Sequence, residues 1–121
     1  MNIKRLCLAV LLAGAASAAH AGDKPALEGC VELGTQQEIV RNGGSQSFLL
    51  RDGDNHYRVA LRRSCDSLAV ASSVSILGEG TEGRLCPSGS QIKTNRGKCA
   101  VGAVELLDAD EFASLKRRSR R

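Results

Sequence analysis

The chain carries, at residues 46–65, the sequence QSFLLRDGDNHYRVALRRSC, which predicts a β-hairpin that ends in a cysteine. Apolar and polar residues alternate along the second arm, so one face of this arm is apolar and the other is wet. The turn formers of Asp52–Asn55 separate the two arms. We expect the hairpin to be the nucleus of a half-buried sheet. Its inward-facing residues are Phe48, Leu50, Tyr57, Val59 and Leu61.

Residues 1–21 have the pattern of a secretory signal peptide. Lys4 and Arg5 precede the apolar run Leu6–Ala13, which is too short to span a bilayer. Small residues then lead to Ala19-His20-Ala21, an A-x-A cleavage pattern. We therefore predict cleavage near Ala21 and a mature chain of about 100 residues in the periplasm or outside the cell, without a transmembrane segment.

Four of the five cysteines remain after this cleavage. An even number of cysteines in a small exported chain predicts two disulfides. Zinc ligands usually come in close pairs such as C-x-x-C, whereas the spacings here are 35, 21 and 13 residues. Disulfides are therefore preferred to a metal site, and no cofactor is expected. The four residues are Cys30, Cys65, Cys86 and Cys99.

The basic character of the sequence lies at its two ends. The full chain has a formal net charge of +4, and the mature chain has 15 basic and 13 acidic residues. Without residues 116–121 the balance becomes 10 basic against 13 acidic residues. This distribution does not predict a basic nucleic-acid-binding domain.

Residues 30–115 form a single predicted β-rich domain, preceded by a flexible lead-in at 22–29 and followed by a basic tail at 116–121. Hydrophobic patterns predict five or six short strands, with a short helix after the third strand and a C-terminal helix. A helix over residues 36–40 is an alternative to the second half of the first strand. At the start of the C-terminal helix, Asp108 and Glu111 have the spacing of a capping box.

The predicted fold class is a small, mainly β, antiparallel barrel or meander. An OB-like fold is possible, because that fold also places a helix after its third strand. If the strands alternate up and down, Cys30 and Cys86 share one end of the sheet, while Cys65 and Cys99 share the other. This favours the pairs Cys30–Cys86 and Cys65–Cys99 among the three possible pairings.

Three motifs suggest sites but also have structural interpretations. Gly78–Gly83 matches the dinucleotide-binding pattern G-x-G-x-x-G. The residues that follow, Arg84-Leu85-Cys86-Pro87, cannot begin the helix that binds the pyrophosphate of a dinucleotide. This segment is therefore predicted to be a flexible loop that binds no nucleotide. Asp52–Asn55 lacks the glutamate of a calcium loop and is interpreted as a turn. His56 lies on the polar face of the hairpin, where solvent exposure is expected rather than catalysis.

The basic residues form the candidate binding sites. Arg58, Arg62 and Arg63 lie on or near the wet face of the hairpin and could join Arg51 in an anion-binding patch, although solvated edge-strand charges are an alternative interpretation. The tail could contact anionic lipid or a polyanion, or it could be a solubilising terminus. Its basic residues are Lys116, Arg117, Arg118, Arg120 and Arg121.

The four cysteines stand in distinctive local sequences, namely Cys30-Val31, HYRVALRRSCDSL, RLCPSG and GKCAVGAVELLDADEF. Leu68 follows Cys65 by three positions, and Leu85 immediately precedes Cys86. In these features the chain resembles a family of small exported four-cysteine proteins of Gram-negative bacteria that is classed as a domain of unknown function. The resemblance implies an exported β-rich domain, and it implies no activity, cofactor or catalytic residue.

The sequence thus predicts a non-catalytic envelope or interaction module of unknown partner, most simply a monomer. A polyanion or membrane-surface binder that uses the tail and the hairpin arginines is the alternative function. An enzyme is a third hypothesis, but one mature histidine and the absence of metal-ligand pairs do not favour it.

Overall fold

The computed structural model of the chain describes residues 25–41 and 44–119. Several predictions fall outside these residues: the signal peptide and its cleavage at Ala21, the start of the lead-in, and the basic residues Arg120 and Arg121. Within the described residues the chain forms nine strands and two helices. They are β1 Val31–Glu32, β2 Gln37–Val40, β3 Ser47–Asp52, β4 Asn55–Leu61, α1 Asp66–Val70, β5 Val74–Gly78, β6 Thr81–Glu82, β7 Arg84–Leu85, β8 Ser90–Thr94, β9 Gly97–Leu107 and α2 Ala109–Ser119.

Seven of the strands form one antiparallel sheet in the order β2-β3-β4-β9-β8-β5-β6. The sheet curls into a half-barrel, with β2 and β6 at its edges. Strands β1 and β7 form a separate antiparallel pair. The predicted fold class is therefore confirmed, and the sheet is more curled than a flat meander but is not closed into a barrel.

The β3–β4 hairpin forms as its alternation predicts. Phe48 pairs with Val59 and Leu50 pairs with Tyr57, and all four side chains are buried on the concave face of the sheet. Gly53 has a φ of 60°, which a two-residue hairpin turn requires at its first central position. The larger of the two core clusters contains these residues together with side chains from the other strands and α1: Leu27, Cys65, Leu68, Ile76, Leu85, Ile92, Val101 and Val104.

Both predicted disulfides are present, Cys30–Cys86 and Cys65–Cys99. The first joins the β1 segment to the residue after β7, and the second joins the start of α1 to β9. Disulfides form and persist in oxidising compartments, so this covalent framework indicates an extracytoplasmic protein.

The C-terminal helix covers part of the outer face of the sheet. It begins with the predicted capping box: the backbone N–H of Glu111 donates to Asp108 Oδ1 at 2.7 Å, and the N–H of Asp108 donates to Glu111 Oε1 at 3.0 Å. Phe112 then packs against Leu49 and Leu107 in a second buried cluster. The face of the hairpin that was predicted to be wet is therefore half covered, because α2 has its own apolar face to bury.

The predicted lead-in at 22–29 is ordered where the structure describes it. Ala26 pairs with Glu105 in an antiparallel bridge, and Leu27 donates its N–H to Val104 O at 3.0 Å. Leu106 donates its N–H to Pro25 O at 2.8 Å, and the Leu27 side chain joins the core. These residues extend the sheet along the stretch of β9 that β8 leaves unpaired.

Gln37–Val40 is a strand, as the primary interpretation of the sequence predicted, because its backbone pairs with β3; the alternative of a helix at 36–40 is excluded. One other local prediction is wrong. The supposed flexible loop after Gly78 contains β6 and β7 instead. A Cβ at Gly78 would lie 2.6 Å from Arg84 O, so glycine permits the chain to fold back closely on itself there. The G-x-G-x-x-G match is therefore followed by a strand and not by a helix.

Candidate functional site

A β-bulge directs the end of β4 toward the outer surface. Pairing with β9 shifts between Ala60 and Leu61, which leaves Gly102 as the extra residue of β9. A Cβ at Gly102 would lie 3.1 Å from Arg62 Cα, so the two backbones approach closely at this point. The chain after β4 then bends, and Arg62 and Arg63 are both exposed. The bulge therefore sets where these two arginines leave the sheet.

Three adjoining cavities follow this surface. The first, about 310 Å³, lies between α2 and the β3–β4 hairpin and includes Arg58 and Arg118. The second, about 340 Å³, shares Ser47 and Arg58 with the first and continues to Arg62 and Arg63. The third, about 370 Å³, shares Arg62, Arg63 and Ser64 with the second and ends at Lys98. We call this continuous surface the basic groove; its cationic residues are Arg58, Arg62, Arg63, Lys98 and Arg118.

The charge of the basic groove is one-sided. Among the described residues, no Asp or Glu lines any of the three cavities. A further cavity of about 400 Å³ shares Arg58 and Arg118 with the first and is lined by Asp110 and Glu111, so carboxylates adjoin the groove at its α2 end. The described part of the chain contains twelve basic and twelve acidic residues, so its charges balance overall while five cations are gathered here. Such segregation produces a local positive potential that attracts anions.

Most cations of the groove have no anionic partner within the described part of the chain. Arg58 lies 3.7 Å from Glu105 through a guanidinium nitrogen, and both side chains are more than one third exposed. An exposed pair at this distance contributes little and is easily exchanged. Among the described residues, Arg62, Arg63, Lys98 and Arg118 form no ion pair. Their N–H groups are therefore available to an incoming oxyanion.

The α2 end of the groove also has an apolar floor. Val40, Leu49 and Leu115 line the first cavity beside its two arginines, and they belong to the cluster that holds α2 against the sheet. The hydroxyls of Ser47 and Ser119 line the same cavity. This end can therefore accommodate both a charged group and an apolar one.

Two residues of the predicted anion-binding set lie elsewhere. Lys116 is in the last turn of α2 and not in a separate tail, and its ammonium group is bonded to Glu38. Arg51 donates through Nε to the same carboxylate at 3.1 Å. The two cations therefore share one carboxylate, and neither of them lines the three cavities of the basic groove. Arg117 is exposed on α2.

The paired Glu38 gives the protein a testable acid dependence. The hydrogen bond from Lys116, reinforced by the one from Arg51, holds the pKa of Glu38 below its usual range. Because the pKa of Glu38 is lower in the folded than in the unfolded chain, its ion pairs stabilise the folded chain. This stabilisation is complete at pH values above the pKa of an unfolded glutamate. It disappears as pH falls through the folded pKa. We expect Glu38→Gln to lower the free energy of unfolding by less than about 1 kcal/mol at neutral pH, and the two proteins to converge in acid.

Urea unfolding across a pH series measures this convergence. Glu28→Gln is the control, because no ion pair of Glu28 is seen among the described residues. A constant difference between wild type and Glu38→Gln from neutral to acidic pH would contradict the proposed role of the carboxylate.

His56 and the cysteines have structural contacts. The His56 ring lies 5.0 Å from the Phe112 ring, centroid to centroid, and is half-buried, so the predicted solvent exposure is wrong. Cys30, Glu79 and Cys86 bring three potential metal-ligand atoms within 4.8 Å of one another, but the two sulfurs are bonded to each other. A disulfide has no thiolate to offer a metal, so this cluster is not interpreted as a metal site.

Sequence reasoning missed two parts of the groove. Lys98 was assigned to a hairpin turn, and its position beside Arg62 and Arg63 depends on the β4–β9 pairing. Ser47 and Leu49 were not identified, because the alternation of the hairpin indicated only the buried face of β3. The sequence did contain a signal for Leu49. The three consecutive apolar residues Phe48 to Leu50 indicate a strand that is covered on both faces.

No protein-family model, curated protein or solved structure matches the chain. The resemblance to the exported four-cysteine family therefore stays a prediction. Among the described residues, no helix has both the length and the apolar character needed to cross a membrane.

Proposed function

We propose that this protein is an exported, non-catalytic binding module that holds an anionic ligand in its basic groove. Export is supported by the signal-peptide pattern of residues 1–21, with cleavage near Ala21, and by the two disulfides. The module acts in the periplasm or outside the cell.

The observation that carries this proposal is the run of three adjoining cavities with five cationic residues and no carboxylate. A folded protein that crowds like charges loses stability through their repulsion, and a bound anion removes that cost. Four of the five cations are arginines, whose planar N–H groups match phosphate, sulfate and carboxylate oxygens in pairs. The groove is therefore suited to binding oxyanions.

A binding role is preferred to catalysis because the reactive residue types are committed to other contacts. The His56 ring packs at a tilt against Phe112, and all four cysteines of the described chain are in disulfides. His56 does not line the three cavities, so the groove contains cations and hydroxyls without a neighbouring imidazole to act as base.

Equilibrium binding of dextran sulfate, a generic polyanion, tests the proposal. Wild-type protein should bind, and the affinity should fall as salt rises, because contacts between exposed charges are screened. Arg58→Glu and Arg62→Glu, made singly, should each weaken binding about tenfold, because each change replaces an attraction by a repulsion.

Arg96→Glu is the matched control, since it makes the same charge change at an exposed residue that forms no ion pair among the described residues and lines none of the three cavities. It should change the affinity less than about twofold. Equal losses in all three variants would mean that net charge and not the groove determines binding. If the wild type binds neither dextran sulfate nor phosphate chains nor anionic vesicles, the anionic ligand is contradicted, and turnover in a hydrolase panel would contradict the non-catalytic role.

A further inference from the structure

We infer that the ligand of the basic groove is a linear polyanion, a flexible polymer with a phosphate or sulfate on successive repeats, and not a single small anion. This inference rests on the proposed function and adds the class of ligand. The groove runs from Arg118 and Arg58 at one end, past Arg62 and Arg63, to Lys98 at the other.

The length of the groove supports a polymer. Four residues of extended chain separate Arg58 from Arg62, a rise of roughly 13 Å. Lys98 adds a further contact beyond Arg62 in the third cavity. One phosphate or sulfate cannot reach both ends of this row, whereas a chain of such groups can contact every cation in turn.

The residues between the cations support the same ligand. Gln46, Ser47 and Ser64 line the middle of the groove with amide and hydroxyl groups, which hydrogen-bond to neutral oxygens along a polymer. Carboxylates adjoin the path at its α2 end, where Glu105 pairs with Arg58 and a neighbouring cavity contains Asp110 and Glu111. Among the described residues, no Asp or Glu lines the middle of the path or its Lys98 end. A polymer backbone that alternates charged and neutral oxygens therefore meets a suitable partner at each step.

The position of the aromatic residues argues against a nucleic acid. The chain has two Phe, one Tyr and no Trp, and Phe48, Tyr57 and Phe112 are only 2–4% exposed. Proteins that bind single strands gain about 1–3 kcal/mol per base from stacking on exposed aromatic rings. The groove offers nucleobases no such surface, so recognition depends on the charges of the polymer.

A length series of phosphate chains tests the inference. Pyrophosphate, tripolyphosphate and long-chain polyphosphate are compared at equal phosphate concentration by isothermal titration calorimetry. The long chain should bind at least tenfold more tightly per phosphate than tripolyphosphate, because later contacts form within one complex at high effective concentration.

Variants at the two ends of the groove test whether a single chain spans it. Arg118→Glu and Lys98→Glu should each weaken long-chain binding about threefold. Tripolyphosphate can occupy only one end of the groove, so at least one of the two variants should bind tripolyphosphate with the wild-type affinity. Arg96→Glu, outside the groove, should leave the long-chain affinity unchanged. Dextran sulfate, measured in parallel, distinguishes a preference for phosphate from a general affinity for oxyanions.

The outcomes separate the inference from the proposed function. Equal affinity per phosphate for short and long chains would overturn the linear polyanion while leaving an anion-binding groove. Binding to vesicles that contain phosphatidylglycerol, without binding to polyphosphate or dextran sulfate, would overturn it in favour of a membrane surface. If neither these polymers nor tripolyphosphate nor the vesicles bind, both the inference and the proposed function fail.

Discussion

Replacing Cys65 and Cys99 together by alanine is expected to lower the free energy of unfolding by about 4 kcal/mol. The two residues are 34 positions apart, so their cross-link greatly restricts the unfolded chain. Cys65 is also buried in the main core, where loss of the sulfur removes packing contacts. For a domain of this size such a loss is a large fraction of the total stability.

Urea unfolding followed by circular dichroism, without reductant, measures this change. The double variant Cys30→Ala/Cys86→Ala is the comparison, because it removes a cross-link with a separation of 56 residues in which Cys30 is exposed. Adding reductant to the wild type should produce a loss at least as large as either variant. A Cys65→Ala/Cys99→Ala protein that unfolds at the wild-type urea concentration would show that the cross-link does not stabilise the domain.

Leu50→Ala is expected to cost 2–5 kcal/mol, on the scale of buried leucine truncations. The Leu50 side chain is completely buried and packs in the main core, where β3 pairs with both β2 and β4. Alanine leaves a cavity that the surrounding strands can only partly fill, since their positions are fixed by backbone pairing. Loss of the folded state at 37 °C is compatible with this range.

Val70→Ala is the control for Leu50→Ala. Val70 is 61% exposed on α1, so its truncation should change the free energy of unfolding by less than about 0.5 kcal/mol. Thermal and urea unfolding of the two variants give the comparison. Similar stabilities for Leu50→Ala and Val70→Ala would contradict the assignment of the core to the concave face of the sheet.

The local parts of the fold were predictable from the sequence. The hairpin alternates over seven residues of β4, its turn is composed of turn formers, and Asp108 and Glu111 have the capping spacing. The disulfide pairs followed from strand order alone, because antiparallel strands bring their ends together at fixed sides of a sheet. Each of these features depends on neighbours in sequence or on a simple alternation.

Contacts between distant segments could not be predicted in the same way. Pro25–Leu27 shows no alternation, and its order comes from hydrogen bonds to β9, about 80 residues later in the chain. The glycines of Gly78–Gly83 suggested a loop, whereas the segment folds into short strands because Gly78 permits close backbone contact. In both cases tertiary pairing determined the conformation and composition did not.

The candidate site was only partly predictable for the same reason. Arg58 and Arg62 were identified from strand alternation. That Arg118 lines the same groove depends on where α2 lies across the outer face of the sheet. The pairing of Lys116 with Glu38 likewise depends on this position of the helix. The sequence indicated which residues are basic, and the fold determined which of them are neutralised and which line one groove.

The most direct test of the groove as a ligand-binding surface is a two-dimensional NMR titration of the folded protein with polyphosphate. We expect the backbone signals that shift to follow the groove, at Ser47, Arg58, residues 62–64, Lys98 and Arg118. Signals of Glu32 and Arg84 in the β1–β7 pair should stay in place. Shifts confined to that pair, or spread evenly over the surface, would contradict the assignment of ligand binding to the basic groove.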